Sequence, residues 1–239
     1  MQLRLLLIAS LFPLIATSQN SSSIDFVFGL DCSYRNLINS EETEFHQVLI
    51  NSREVETKKL NWNIGFFYNK QLTKTIFIKS GFRLATIGYK GEKLTGIRWG
   101  SEHDGNGGYQ FDPTLPHEIQ NVYEYWFIEI PLEGRMEFGK GKLKPFVEFG
   151  FAPSIYLSLR TIQLTDIGNE SNFSSAKPDT FNSFQLVGIG SFGINYNISA
   201  NFQIYLNPAF RYYITSLNND SISEHFYNYG LDLGIRKKL

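Results

Sequence analysis

The stretch NWNIGFFYN, residues 61–69, sets Trp62, Ile64, Phe66 and Tyr68 on one side of an extended chain and Asn61, Asn63, Gly65 and Asn69 on the other. Strict alternation of this kind describes a strand with one apolar and one polar face. In water the aromatic face would be a core. In lipid the same face would be a coat, with the asparagines turned toward an interior. The remainder of the chain decides between the two.

The alternation recurs over residues 24–34, 75–86, 122–138, 143–159, 184–198, 202–214 and 225–235, which with the opening stretch makes eight strands. Tight turns fall at residues 70–74, 139–142 and 199–201, whereas 36–59, 90–121, 160–183 and 216–224 are long connections at the opposite end. Short turns on one rim and long loops on the other describe an outer-membrane barrel with both chain ends on the periplasmic side. The expected fold is therefore all-β: an eight-stranded, antiparallel, up-and-down transmembrane β-barrel with short periplasmic turns and long extracellular loops.

The N-terminus agrees. Arg4, an apolar run over residues 5–15 and the small residues Ala16, Thr17 and Ser18 have the form of a cleaved export signal. The run is too short to cross a hydrocarbon layer of roughly 30 Å as a helix. Residues 1–18 are read as signal peptide and 19–239 as one outer-membrane barrel domain. Cys32 is the sole cysteine, so no intramolecular disulfide is available. Without Arg4 the mature chain carries 22 − 1 = 21 basic and 23 acidic residues, a balance that excludes nucleic acid as a partner.

Charge placement within the strands separates lipid from water. Asp25, Asp31, Lys79, Arg83, Glu129, Glu133, Arg135, Glu148, Arg211, Asp232 and Arg236 all fall on the small-residue face, as do Glu137 and Lys144. A Lys or Arg facing the bilayer midplane costs about 2–4 kcal/mol, so a lipid coat excludes such residues while an interior can hold them as pairs. The expectation is a lumen ion-pair network that plugs the barrel, because eight strands enclose a space just wide enough for side chains to fill. Gly65, Gly81, Gly150 and Gly193 would leave room for the longer charged chains. Trp62, Tyr68, Trp126, Tyr212, Tyr227 and Tyr229 are assigned to the lipid interfaces as aromatic girdles. Pro131, Pro153 and Pro208 each remove a ladder donor, so bulges are expected there. Glu124 shares the parity of Trp126 and fits only at the outer rim.

The segments YWFIEIPLEGRMEFG (125–139) and KLKPFVEFGFAPSIYL (142–157) resemble the central hairpin of the Bacteroidetes outer-membrane β-barrel family, the porin-like group that includes PorT-type proteins. The likeness is carried by Glu129, Ile130, Pro131 and Leu132 and by residues 144–150. It implies an eight-stranded outer-membrane barrel without a catalytic motif, and PorT-type members are associated with secretion. The terminal GIRKKL departs from the aromatic end of proteobacterial barrels.

No catalytic motif appears in the loops. His103 and Asp104 precede a GNGG run and His117 follows, a pattern that turn chemistry accounts for, and no third ligand at metal spacing accompanies the histidines. His46 sits among Glu41, Glu42 and Glu44, and His225 follows Glu224. The reading is a monomeric, non-enzymatic cell-surface barrel, with no cofactor and no metal, whose partners are outer-membrane lipid and a protein or ligand held by the extracellular loops. Binding, adhesion and a secretion-associated role stay open. The alternatives are a rim enzyme acting on lipid or peptide, a narrow passive pore, or a soluble lipid carrier with its apolar face inward.

Overall fold

The structure, a computed structural model, describes residues 21–39, 43–103, 105–176 and 180–239. The expected export segment and Asp104 lie outside them. Among the described residues the strands are β1 (Ser22–Asn39), β2 (Thr57–Gln71), β3 (Ile76–Thr95), β4 (Glu118–Glu129), β5 (Leu132–Glu137), β6 (Leu143–Thr165), β7 (Gly168–Ser174), β8 (Phe184–Asn197), β9 (Phe202–Tyr213) and β10 (Ile222–Lys238). A short helix, α1 (Glu44–Asn51), follows β1.

Neighbouring strands pair antiparallel in the order β2-β1-β10-β9-β8-β6-β4-β3, and β2 pairs with β3 to complete the ring. The ends of the chain make the seam, running from Ser23 opposite Lys238 to Asn39 opposite Ile222. β5 continues the line of β4 between β3 and β6, so the wall has eight staves, and β7 folds back on β6 beyond it. The turn between β5 and β6 reverses through Gly139 and Gly141 at φ of 82° and 121°, a backbone that glycine adopts without strain.

Orientation follows the opening alternation. Phe66 is 60% exposed on the outer wall, while Asn61 and Asn63 are 2% and 1% exposed inside. Strands β3 and β6 run for 20 and 23 residues, well beyond the 9–11 that cross the hydrocarbon. Much of the expected long loops is therefore ladder. Outside lipid neither face need be apolar, so pairing continues where the sequence period has already faded.

The prolines behave differently from expectation. Pro131 separates β4 from β5, yet Glu129 opposite Ser154 and Leu132 opposite Phe151 keep one register across the gap. Pro153 and Pro208 lie in continuous register opposite Leu186 and Leu231. A proline removes one donor without adding a residue, so the ladder lapses and does not shift. Register shifts fall instead at Lys58/Asn63, Lys90/Lys93 and Trp126/Phe127.

The interior is not polar throughout. Toward the loop end Ile87, Tyr125, Phe127, Val187, Tyr213 and Phe226 form a buried apolar cluster. A smaller one, Val27, Phe67, Phe146 and Tyr205, sits among the charges. Filling a closed lumen needs volume as well as charge balance, and rings supply it. The inward glycines serve these rings and neighbouring backbone more than charged partners. A Cβ on Gly65 would lie 2.6 Å from the Phe67 ring, one on Gly193 2.5 Å from Phe146, and one on Gly81 2.0 Å from the Phe66 carbonyl, although Gly150 does border Glu133.

A Cβ on Gly234 would lie 2.0 Å from Tyr205 Cζ. Gly234→Val is expected to cost about 1–3 kcal/mol by overpacking, read as a lower urea midpoint for the folded, heat-modifiable form in detergent.

Candidate functional site: a paired lumen and an ordered rim

Successive inward positions stack charge in layers along the barrel axis. Nearest the turns, Arg236 meets Asp25 through Nε and Nη2 at 2.8 and 2.9 Å, and Nη1 reaches Glu137 at 3.0 Å. The Tyr205 hydroxyl donates to Asp25 at 3.1 Å, and Asn195 donates to Glu137 at 2.8 Å. One layer in, Glu148 is fully buried between Arg135 Nε at 2.5 Å and Lys79 at 3.2 Å. The Arg135 guanidinium also lies 4.2 Å from the centre of the Phe146 ring and 4.8 Å from that of Tyr205. Those rings face the cation with their negative side and replace part of its lost hydration.

Lys79 continues to Glu133 at 2.9 Å. Arg83 lies 3.2 Å from Glu133 and 3.5 Å from Glu129, and the Tyr213 hydroxyl caps Glu129 at 2.9 Å. Arg211 pairs with Asp31 at 2.8 Å and with Asp232, while Asn63 donates to both carboxylates. The eleven lumen residues singled out from the sequence thus all take part in ion pairs. A cavity of about 10 Å³ lies among Asn63, Lys79, Arg83, Glu133, Asn207 and Arg211, about the room one water needs. Charged side chains themselves fill the middle of the barrel.

Further groups were missed. Arg35, with Glu56 at 2.5 Å and Glu224 at 2.7 Å, closes the mouth and lies 3.6 Å over the Tyr89 ring. The sequence reading ended the first strand at Tyr34, just short of it. Glu124 does not merely sit beyond the hydrocarbon. It is buried, and Lys59 at 2.7 Å and the Trp126 indole N–H at 3.0 Å satisfy it.

The interface aromatics divide between the two ends. Tyr68, opposite Ile24, lies toward the turns. Trp62 and Trp126 meet edge to face at 5.2 Å on the loop half. Tyr212 stacks on His225, Tyr227 meets Tyr34, and Tyr229 accepts a hydrogen bond from Lys58 at 3.1 Å.

The loop over residues 96–117 is built on Glu102. This carboxylate is 2% exposed and accepts from the backbone N–H groups of Trp99 at 2.8 Å and Asp112 at 2.9 Å and from the Tyr109 hydroxyl at 3.1 Å. His117 Nε2 lies 2.7 Å from it, and the His117 ring stacks on Phe111 at 4.4 Å. Burial alone would raise the Glu102 pKa, but these hydrogen bonds outweigh it and hold the carboxyl down at about 2. His117 is thereby an organising residue of the loop, and the His103 ring meets the edge of Tyr109. No spacing rule marks a lone carboxylate for this role.

The family model for the outer membrane protein beta-barrel domain matches residues 12–220. No curated protein matches the chain significantly. Solved structures to which the chain is similar include neisserial surface protein A, at 11% identity and a TM-score of 0.43, covering 90% of this chain and 97% of that one. The attachment invasion locus protein Ail of Yersinia pestis is 10% identical with a TM-score of 0.39, covering 92% and 99%. The outer membrane protease OmpT of Escherichia coli is 9% identical with a TM-score of 0.41, covering 93% and 98%. At such scores these likenesses carry no functional argument.

Glu148→Ala removes the nearest carboxylate from Arg135 and leaves Lys79 with Glu133 alone, and it is expected to destabilise by about 3–5 kcal/mol in detergent unfolding, with partial recovery when Arg135 is also made apolar. For the loop, a depressed carboxyl pKa contributes stability that is complete above the ordinary carboxyl value near 4.3 and is lost as pH falls through about 2. Exchange protection of the Trp99 and Asp112 amides should follow that window, and Glu102→Gln should lower it at neutral pH.

Proposed function

This chain belongs to the outer membrane protein β-barrel family, and from that membership we propose that it acts as a sealed, non-enzymatic surface barrel whose loops engage a partner. The outer membrane is its location by family. The observation that carries the sealed reading is the filled lumen: paired charges through the turn half, packed rings through the loop half, and a mid-barrel cavity of about 10 Å³. Such an interior offers no continuous water column for ions.

The loops supply the contact surface. Phe45 and Val48 on α1 and Phe111 in the loop built on Glu102 are exposed at the loop end. Apolar residues displayed on ordered loops above a rigid barrel favour binding or adhesion over catalysis. A place in secretion, as for PorT-type barrels of Bacteroidetes, is the finer version of this reading and rests on the likeness at residues 125–157. Residues 1–18 serve in it as the cleaved export signal, and the barrel works as a monomer.

Purified protein in planar bilayers tests the seal. The expected result is no steady current at either polarity, and reproducible conductance steps would replace the sealed barrel by a pore.

A further inference from the structure

Among the described residues, lysine and arginine are missing from the outward positions of the wall through the hydrocarbon, yet they return at the loop end of one sector. On β2, β3 and β6 the outward side carries Lys58, Lys90 and Arg160, whereas outward positions at the same end of β9 and β10 carry Tyr212, Ser223, His225 and Tyr227. The cations share one neighbourhood. Glu124 lies opposite both Gly88 and Arg160, and Lys90 lies opposite Val122, two residues along the same pair of strands.

The patch is built around the buried Glu124 carboxylate. Its Oε2 is 2.7 Å from Lys59 Nζ, and its Oε1 is 3.9 Å from Arg160 Nη1. At Gly88 a Cβ would lie 1.9 Å from the Tyr123 carbonyl oxygen and 3.2 Å from Lys59 Cδ, so β3 and β4 approach closely beside the Lys59 side chain. Lys59 and Arg160 share this one carboxylate, while Lys58 donates to the Tyr229 hydroxyl and Lys90 stands two residues along the wall, so the outward cations Lys58, Lys90 and Arg160 outnumber the acid beside them. Nearby acids are engaged elsewhere: Glu118 pairs with Lys93 at 2.6 Å, and Glu92 lines the barrel mouth with Arg35 and Arg53.

Aromatic rings lie beside two of these cations. The Arg160 guanidinium lies 5.2 Å from the centre of the Phe173 ring, and the Lys58 ammonium lies 5.3 Å from that of Tyr229. Trp62 and Trp126 sit directly toward the hydrocarbon. A cation on the outer wall is cheap only at headgroup depth, where an indole belt also belongs.

We propose that this sector seats the phosphate of an anionic lipid headgroup in the outer leaflet. Arg160 supplies a planar fork suited to phosphate, Lys90 and Lys58 supply point charges on either side, and the Trp62–Trp126–Phe173 surface receives the apolar part. The lipid is the source because the patch faces the bilayer and continues into apolar wall. This seat does not depend on whether the lumen conducts.

The probe is phosphatidic acid in phosphatidylcholine nanodiscs, with lipid retained by the purified full chain counted by native mass spectrometry. Wild type and a turn-rim control, Lys140→Gln/Lys142→Gln/Lys237→Gln, are expected to retain phosphatidic acid. The triple variant Lys58→Gln/Lys90→Gln/Arg160→Gln is expected to bind it on the order of a hundredfold more weakly. Undiminished retention by that variant, or equal loss in the control, overturns the seat. Displacement of the lipid by an equal concentration of inorganic phosphate would assign the patch to free anion and also overturn it. Should the triple variant fail to fold, Lys90→Gln breaks no ion pair among the described residues and should weaken retention roughly fivefold, with no change counting against the proposal.

Discussion

A backbone N–H or C=O stranded in hydrocarbon has no water to turn to, and the closure of β1 on β10 is the response to that constraint. Closure does more than satisfy the ladder. Because side chains alternate with a period of two, a ring with settled register assigns every residue of every stave to lipid or to the lumen. Sliding one stave by a single residue would turn Arg83 or Glu133 into the membrane and Phe82 or Leu132 inward. The ion pairs and the apolar coat are thus two consequences of one register.

Inside, the pairs are obligations of burial more than sources of stability. Removing Arg135, Glu148 and Lys79 from water is expensive, and their attraction offsets that cost only because other groups share the load. Glu148 also accepts from Ser191 and Asn207, at 3.3 and 3.2 Å. Arg135 is flanked by Phe146 and Tyr205. The charged and aromatic zones divide the lumen accordingly: rings fill space, and charges lock neighbouring staves to particular partners. Arg236 reaches Asp25 across the seam, and Arg211 joins β9 to β1 and β10.

The loop end uses the same chemistry with different neighbours. Arg35 ties β1 to Glu56 and Glu224 at the mouth, and Glu102 gathers the Trp99 and Asp112 amides of its own loop around one carboxylate. At the loop end of the wall, Glu124 is tolerated because Lys59, Arg160 and an indole N–H surround it. A filled barrel, an ordered rim and a charged outer sector leave the exposed loop residues as the surface most available to a partner.

The amino-acid sequence by itself determined the architecture. Alternation within the hydrocarbon span needs no partner strand to be read, so the eight staves, their facing and the short and long rims follow from period and turn residues alone. It also put Asp25, Lys79, Glu148, Arg211 and Arg236 on one face. Which charge meets which was decided only by the tertiary structure, since Asp25 and Arg236 are 211 residues apart and become neighbours through ring closure. Arg35, Glu56 and Glu102 escaped the sequence reading because outside lipid no face must be apolar, and a lone polar residue there looks like solvated loop. The inward rings escaped it because parity separates inside from outside but says nothing of how much volume the inside must fill. The unshifted register at Pro131, Pro153 and Pro208 is likewise tertiary, set by neighbouring staves that hold the strand in line where one donor is missing.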